Sequence, residues 1–485
     1  MTAAPALAMP DKYHIHTALI PGRFRRIGKY GSVDWREDCS RCSNCVKRRC
    51  NYDVYEKEAA HSRDPATSIH CHSECKACFA CVQGCTKGLL SMAVDPEYLA
   101  MGDDYWTPDI IATTWNQADA GRVPVSGAGY RGRFSGPGFD SIWTDMSEIV
   151  RPTRDGIHGR EYISTSVDIG TKPMRLRFAP DGTLETPPAH LIEIQLPALL
   201  DCPPWPVGGT ALAAARAAAA AALKTLAVVP AEQVAAVTPA HLAAVVPVVE
   251  AATLDRVAKL LAAVPMVEVL VGPATQPDRI RDVAALAARV ATHTKAIVAA
   301  RLDLEGGCAD TVLELARAGL KVLHLCADQH GRERRVQHPR YLKDTLREIH
   351  NRLVSAGLRD EVTLIAGGGI ALAEHMAKAI ICGADLVAVD TPLLVALGCR
   401  LCGRPHPAGK NGGQLQEDCP ANIDGTWSAY AVQRMVNLMG AWHSQLIEVL
   451  GAMGIREVRR LRGEVGRAIF MEDIEKEAFG DLVRK

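Results

Sequence analysis

The chain has 485 residues, of which 48% are hydrophobic, and its 55 basic residues equal its 55 acidic ones. This length exceeds one ordinary core, so we expect two or three domains, one of which can be a long barrel. The balanced charge argues against nucleic acid or an acidic membrane as the main partner. Neither a transmembrane span nor a signal peptide is predicted, since no apolar stretch has the required length and flanking charge.

Nine of the sixteen cysteines fall between Cys39 and Cys85 at spacings typical of metal ligands. This concentration predicts reduced thiolates and a cytoplasmic protein, because disulfide frameworks belong to oxidising compartments. Residues 1–36 carry scattered charged and aromatic residues without periodicity and are interpreted as a lead-in segment.

Residues 37–92 contain two runs of cysteines. The runs are Cys39, Cys42, Cys45 and Cys50, then Cys75, Cys78, Cys81 and Cys85. The second run has the spacing of bacterial two-cluster ferredoxins, in which the fourth cysteine of each run binds the other run's cluster. We therefore pair Cys85 with the first three cysteines and Cys50 with the second triplet, and predict a small α+β ferredoxin-like domain with two 4Fe-4S clusters. Zinc is the alternative, and the remaining Cys71 is interpreted as structural.

Residues 93–190 are predicted to be an irregular connecting segment. They are rich in glycine, aspartate, arginine and aromatic residues, with turn signals at 125–129 and 134–138. Because a long irregular stretch inside a compact protein is usually functional, we expect it to cross over the mouth of the following domain.

Residues 191–423 alternate between apolar runs and helical patterns, which predicts an α/β fold with a (β/α)8 TIM barrel. Candidate strands are 191–198, 226–230, 242–249, 264–272, 295–302, 320–327, 362–369 and 385–392. Candidate helices are 209–224, 251–262, 277–293, 308–319, 341–357 and 371–381, and the stretch 231–241 is too short for more than two turns. Residues 424–485 are predicted to be a helical tail, with an amphipathic helix near residues 430–450 and a basic segment at 456–467 for packing or docking.

The ends of the last two predicted strands favour a phosphate site. Gly367, Gly368 and Gly369 follow strand seven, and Asp390 and Thr391 follow strand eight. Barrels commonly hold phosphate between these loops, where glycine lets backbone N–H groups approach it at a helix start. A tight βα turn is the alternative reason for the glycines. We interpret the phosphate as that of FMN, because a chain with one-electron clusters needs a cofactor that also performs two-electron steps.

A third cysteine set follows strand eight. Cys399, Cys402 and Cys419 predict a further 3Fe-4S cluster, or a 4Fe-4S cluster if a fourth ligand joins; zinc or buried thiols are the alternatives. The other cysteines, in or beside core segments, are interpreted as small hydrophobic residues. They are Cys202, Cys308, Cys326 and Cys382.

Four stretches together resemble the FMN-binding synthase domain of glutamate synthases, in the archaeal-type form with a fused ferredoxin module. They are the cysteine runs at 39–85, the Val-Ser-Gly-Ala-Gly motif at 125–129, residues 143–160, and the region from Gly367 to Cys399. The resemblance implies an oxidoreductase in which ammonia, released from glutamine by a glutaminase, reacts with 2-oxoglutarate to an imine that FMN reduces. It implies flavin contacts from Ser126, Gly127, Ala128, Arg301, Gly367, Gly368, Gly369, Asp390 and Thr391, and an adjacent cluster on Cys399, Cys402 and Cys419.

The chain also departs from the family pattern. Arg301 stands where the family has a flavin-facing lysine, a long insertion separates Cys402 from Cys419, and the strand-six loop at 326–335 is bulky and basic. His330 in this loop could donate a proton beside arginines that bind a carboxylate, or the loop could contact a partner subunit. Two functions therefore stay open. One is a synthase subunit that works with a separate glutaminase and NAD(P)H- or ferredoxin-linked subunits in a hetero-oligomer, and the other is an electron-transfer subunit that has lost amination.

Overall fold

The computed structural model of the chain describes residues 13–24, 26–30, 32–35, 38, 42, 44, 48–52, 78–123, 136–144, 163–172, 176–186, 190–205, 209–402, 419 and 421–480. Of the eight predicted ligands in the two N-terminal runs, five are described and Cys39, Cys45 and Cys75 lie outside the described residues. So do Ser126, Gly127 and Ala128.

Two antiparallel strands bracket the cysteine-rich segment. Strand β1 (Ser32–Trp35) pairs along its length with β2 (Leu90–Ala93), and helices α1 (Ala80–Gln83) and α2 (Pro96–Leu99) flank β2. Helix α2 begins at a cap in which the Asp95 side chain accepts from the N–H of Glu97, with proline at the next position. The strand pair thus holds together both ends of the predicted ferredoxin-like domain, and β1 precedes the predicted start at residue 37.

Helix α3 (Pro108–Ala120) lies within the segment predicted to be irregular. Its buried residues recur three and four positions apart and form one face. They include Ile110, Ile111, Thr114, Trp115 and Ala118. The expectation of an irregular structure is therefore wrong for residues 108–120.

The connecting segment also supplies strands β3 (Ile142–Thr144) and β4 (Val167–Gly170), and β4 pairs with β5 (Leu191–Ile194). The hydroxyl of Thr363, at the first residue of a barrel strand, donates to the carbonyl of Gly170 and accepts from its N–H, at 2.9 and 3.2 Å. This contact places the β4–β5 pair at the N-terminal end of the barrel. The prediction that the segment crosses the mouth is therefore wrong for residues 167–170.

Eight parallel strands form a closed barrel, which confirms the predicted α/β TIM-barrel fold. They are β6 (Ala198–Leu200), β7 (Ala227–Pro230), β8 (Val245–Val249), β9 (Met266–Leu270), β10 (Ile297–Asp303), β11 (Val322–Cys326), β12 (Thr363–Gly367) and β13 (Leu386–Val389). Closure comes from pairing of β13 with β6. The first predicted strand, 191–198, is mostly β5 outside the barrel, because the barrel strand begins only at Ala198.

Of the helices that follow these strands, six match predicted helices with shorter bounds, whereas those at Ala231–Val234 and Thr391–Ala396 were not predicted. The helices are α4 (Gly209–Ala222), α5 (Ala231–Val234), α6 (Leu254–Val257), α7 (Arg279–His293), α8 (Cys308–Arg317), α9 (Leu342–Ser355), α10 (Ala373–Ile381) and α11 (Thr391–Ala396). The predicted helix at 251–262 is reduced to α6 and a 3-10 turn at Leu261–Ala263. Arg216 in the Ala-rich α4 is buried and donates to the carbonyl of Val228 at 2.7 Å.

The C-terminal tail consists of α12 (Ser428–Ala452), β14 (Ala468–Phe470) and α13 (Met471–Phe479). Helix α12 packs against α3, α4 and α10. Its Arg434 is buried and binds the Asp119 carboxylate as well as the carbonyls of Ile20 and Ala396. In the basic segment, Arg459 and Arg462 pair with acidic residues of the same chain, so this segment packs on the barrel. Among the described residues no helix combines the length and apolarity that crossing a bilayer requires.

Candidate active site at the barrel mouth

Four ionisable side chains meet inside the barrel. Arg301 on β10 forms a two-pronged ion pair with Asp201, which follows β6, with both N–O distances at 2.9 Å. Glu268 on β9 lies between the two cations. One of its oxygens is 3.1 Å from Arg301 Nη1, and the other is 2.8 Å from Nδ1 of His324 on β11. Direct pairing of Arg301 with His324 in the strand register places both side chains on the inner face of the barrel.

This buried cluster is electrically balanced. Burial alone would raise the pKa of Asp201, but Arg301 and His324 outweigh it and lower that pKa to about 2. The pKa of Glu268 is also lowered, because His324 and Arg301 outweigh its burial. Burial would lower the pKa of His324, but Cys326 and Glu268 outweigh it and raise the pKa to about 10. At neutral pH the cluster therefore holds two anions and two cations.

His324 directs its second ring nitrogen toward the C-terminal end of the barrel. A Cβ atom at Gly367, the last residue of β12, would approach His324 Nε2 to 2.8 Å. The same nitrogen is 3.7 Å from Asp201 and has no hydrogen-bond partner among the described residues. His324 itself has no solvent exposure. The absence of a side chain at Gly367 is thus what lets the imidazole occupy the barrel axis.

The other two glycines of the run are packed against the strand-six loop. Gly368 and Gly369 have φ of 91° and 68°, which favours glycine. A Cβ atom at Gly368 would lie 2.6 Å from the carbonyl oxygens of Ala327 and Asp328, and one at Gly369 would lie 2.5 Å from Gly331. All three glycines thus have a packing reason within the chain, and their predicted contact with a phosphate stays a prediction.

Carboxylates occupy both helix starts that were predicted to face the phosphate. Asp390 caps α11 by accepting from the N–H of Thr391 at 2.5 Å. Burial and the nearby Asp201 raise the pKa of Asp390 to about 6. At α10, Asp140 lies 2.9 Å from Nε2 of His375, whose Nδ1 accepts from the N–H of Ala371, so Nε2 carries the proton that Asp140 accepts. The hydroxyl of Thr391 is buried and has no partner among the described residues.

The basic strand-six loop is neutralised by its own chain. Nε2 of His330 lies 2.8 Å from Asp103, and Arg335 forms ion pairs with Asp303 and Glu305. Arg334 donates to the carbonyl of Ala327. The loop is held down by residues 103–106 of the connecting segment, because Trp106 Nε1 donates to the carbonyl of Gln329 at 2.9 Å. This part of the segment therefore contacts the loop that follows β11.

The third cysteine set follows α11 directly. Cys399 is 3% exposed, and burial together with the Cys419 and Cys402 thiols raises its pKa to about 12. The thiols are therefore electrostatically coupled. In the described part of the chain, the one group of three or more ligand atoms within 4.8 Å of one another is Asp140, Glu374 and His375. The three thiols do not form such a group.

Two asparagines connect the two N-terminal cysteine runs. Asn44 Nδ2 donates to the carbonyl of Gly84 at 3.3 Å, and Asn51 Nδ2 lies 3.9 Å from Cys78 Sγ. These contacts bring the neighbour of Cys45 to the neighbour of Cys85, and the neighbour of Cys50 to Cys78, in the same sense as the predicted pairing. The Cys85 sulfur accepts from the N–H of Leu89 at 3.3 Å, and such backbone donors, with Leu89 first, lower its pKa. A lowered pKa favours the thiolate that metal binding needs.

Sequence reasoning identified Arg301 but missed Asp201, Glu268 and His324. The signal was present, because Glu268 and His324 are single polar residues in otherwise apolar strands, at positions that alternation assigns to the inner face. Their mutual contacts could not be read from the sequence, because the residues in contact are 23 to 100 positions apart. They meet only through strand register, which barrel closure sets.

Known proteins provide a further comparison. Residues 341–456 match the family model described as a conserved region in glutamate synthase. The chain is 23% identical over 481 residues to the archaeal-type glutamate synthase (NADPH) of Dehalococcoides mccartyi, covering 89% of this chain and 93% of that protein. It is 25% identical over 512 residues to the archaeal glutamate synthase (NADPH) of Archaeoglobus fulgidus, covering 92% and 96%. A solved structure of a flavocytochrome b2 variant with pyruvate bound is similar with a TM-score of 0.44 at 14% identity, covering 78% and 86%.

Proposed function

We propose that this chain, a distant relative of the archaeal-type glutamate synthases, is an oxidoreductase that passes electrons through iron–sulfur clusters to FMN for the reductive amination of 2-oxoglutarate to glutamate. The observation that carries the proposal is a set of three thiols, of which Cys399 is buried, that follows the last barrel strand and its helix beside a charged barrel interior. The relatives, which match about nine-tenths of the chain, support the same class of enzyme.

The residues at the barrel mouth fit a bound group that offers hydrogen-bond acceptors. Thr391 Oγ1 and His324 Nε2 are buried without a partner among the described residues, and buried polar groups in folded proteins are nearly always paired. FMN, when bound, supplies conversion between one- and two-electron steps. Because Asp140 and Asp390 cover the two helix starts, we assign phosphate binding to the Thr391 hydroxyl and the backbone of the glycine run. Arg301 is held by its ion pair with Asp201 and supplies positive charge inside the barrel.

The segment that follows the N-terminal module packs beside the third cysteine set, which supports electron transfer between the module and that set. Tyr98, Met101 and Trp115 pack with Val395 of α11 in one apolar cluster. The N–H of Gly102 also donates to the carbonyl of Arg400, inside the Cys399–Cys402 loop, at 3.1 Å. We propose two 4Fe-4S clusters in the module, on the two cross-paired sets of cysteines, and one 3Fe-4S or 4Fe-4S cluster on Cys399, Cys402 and Cys419.

The proposed reaction needs ammonia and electrons from elsewhere. We propose a separate glutaminase chain as the source of ammonia, and an NAD(P)H- or ferredoxin-linked subunit as the source of electrons, in a hetero-oligomer. The concentration of reduced cysteines supports placing this assembly in the cytoplasm.

One observation favours the second function, an electron-transfer subunit without amination. Binding 2-oxoglutarate requires cations for two carboxylates, yet Arg301 is already paired with Asp201, and Arg335 with Asp303 and Glu305. A cation that is already paired contributes less to binding a further anion, because part of the attraction is cancelled.

Anaerobically purified protein distinguishes the functions. We expect a brown protein that releases FMN on denaturation and, after reduction, forms glutamate from 2-oxoglutarate and ammonium. Glutamate formation would exclude the electron-transfer function. Its absence with flavin and clusters intact would exclude the synthase, and a colourless protein without flavin would contradict both.

A further inference from the structure

Of the two cations in the buried cluster, His324 is the one with a donor nitrogen that has no hydrogen-bond partner among the described residues. Arg301 uses both of its terminal nitrogens on Asp201, and one of them also on Glu268. His324 uses Nδ1 on Glu268, with Arg301 Nη1 also 3.1 Å from that nitrogen, and leaves Nε2 without a partner among the described residues. A fully buried cationic N–H is costly to leave unpaired, so a ligand that accepts from it is strongly stabilised.

The free nitrogen points into the mouth. It lies beside Gly367 at the C-terminal end of β12, where a TIM barrel binds its ligands. The ionisable groups that face His324 are Asp201 after β6, Glu268 on β9 and Arg301 on β10, together with Cys326 on its own strand. Arg301 is the one cation among these groups, and its guanidinium is already paired with the carboxylates of Asp201 and Glu268.

We propose that His324 is the charged hydrogen-bond donor that binds an anionic oxygen of the ligand held at the barrel mouth, the role that Arg301 cannot perform. This inference rests on the proposed function, which brings two ligands with such an oxygen to the mouth. One is the ring of FMN, whose carbonyl oxygens gain negative charge on reduction, and the other is a carboxylate of the 2-oxo acid. The shared chemistry is an oxygen that accepts from a cationic N–H.

The test compares His324→Gln, which keeps a donor and removes the charge, with His350→Gln as a matched control. His350 lies on α9 in the outer layer and accepts from Arg359 at 3.1 Å. Two quantities are measured on the purified holoprotein: the ratio of reduced to oxidised flavin at a fixed reductant potential, and 2-oxoglutarate affinity by calorimetry, which does not depend on the flavin signal. Because a hydrogen bond to a charged group contributes roughly 1.5–3 kcal/mol, we expect His324→Gln to change one of them by about tenfold or more.

A change in the flavin ratio assigns the oxygen to the flavin ring, and a change in affinity assigns it to the oxo acid. If His324→Gln folds and both quantities match the control variant, the inference is wrong. The proposed function is tested separately by glutamate formation in the unsubstituted protein, so a protein that forms no glutamate but shows either change keeps this inference and loses the amination.

A pH series on the unsubstituted protein decides the case in which His324→Gln does not fold. The folded-state pKa of about 10 keeps His324 charged through neutral pH, so between pH 5.5 and 9 the affinity for 2-oxoglutarate should stay constant, and the flavin ratio should follow only the proton uptake that accompanies flavin reduction. A further step in either quantity, with its midpoint at the ordinary histidine pKa of about 6.5, would overturn the inference. Where His324→Gln does fold, His324→Lys restores a positive charge without the imidazole ring. It should recover part of the tenfold change in whichever of the two measured quantities His324→Gln alters.

Discussion

Gly367 and His324 depend on each other, since any side chain at position 367 would place its Cβ atom 2.8 Å from the imidazole Nε2. The sequence assigns Gly367 to a phosphate loop, but the packing of His324 from the neighbouring strand β11 already explains why position 367 needs glycine. Gly367→Ala should lower the free energy of unfolding by about 1–3 kcal/mol through overpacking, measured by urea denaturation. Gly425→Ala, where a Cβ atom meets nothing within 4 Å, is the control.

The same substitution tests the cause of the strain. In a double-mutant cycle with His324→Ala, the effect of Gly367→Ala should shrink to that of the control, because the clashing ring is gone. An undiminished effect would show that another contact makes glycine necessary.

Tyr105 should stabilise the contact between the connecting segment and the glycine run. Its buried hydroxyl donates to the carbonyl of Gly369 at 2.5 Å. Tyr105→Phe leaves that carbonyl without this donor and should lower the free energy of unfolding by about 1–3 kcal/mol. Tyr52→Phe, at a side chain that is 44% exposed, should have no comparable effect, and equal effects of the two would contradict the assignment.

Arg434 joins the N-terminal segment at Ile20, helix α3 and the end of α11 to the C-terminal helix α12. Arg434→Met removes donors from Asp119 and from the carbonyls of Ile20 and Ala396. Arg26 still neutralises Asp119, so we expect a loss of about 2–4 kcal/mol rather than the larger loss typical of an unpaired buried charge. The control is Arg460→Met, whose side chain is 73% exposed. If Arg434→Met lowered the free energy of unfolding no more than Arg460→Met does, the Arg434 contacts would not be needed for stability.

His443 should make stability depend on pH. Burial and the nearby His14 lower its pKa to about 4 in the folded state, against about 6.5 when unfolded. The unfolded chain therefore binds more protons between these values, and stability present above pH 6.5 is lost as the pH falls toward 4. Between pH 7.5 and 5.5 the unsubstituted protein should lose about 1 kcal/mol more than His443→Gln, measured by urea unfolding at both pH values. Equal losses would show that His443 ionises normally.

Iron content tests the first cysteine run directly. Cys42→Ser should lower the iron bound by anaerobically purified protein by about four atoms per chain, the content of one 4Fe-4S cluster. Cys202→Ser changes a thiol that contacts the carbonyl of Val228 and should leave iron unchanged. An identical iron content in the two variants would exclude Cys42 as a ligand.

The sequence alone predicted the barrel, because parallel strands buried on both faces are continuous apolar runs and their helices have amphipathic spacing. It also predicted the cysteine sets, whose ligand spacing is local. It did not predict α3, although Ile110, Ile111 and Trp115 have helical spacing. The turn signals elsewhere in residues 93–190 favour an irregular structure for the segment as a whole. It placed the first barrel strand too early, since β5 is as apolar as a barrel strand and only pairing with β4 separates the two.

The tertiary structure alone decided which residues form the site. Arg301, Glu268 and His324 are on different strands, and closure of the barrel sets the register that brings their charges within 3.1 Å. The pKa of His324 likewise depends on neighbours and burial, which have no local signature. Sequence therefore determines the elements and the local ligand spacings through short-range periodicity, while the charge state, the pairing of Arg301 and the free nitrogen of His324 come from long-range packing.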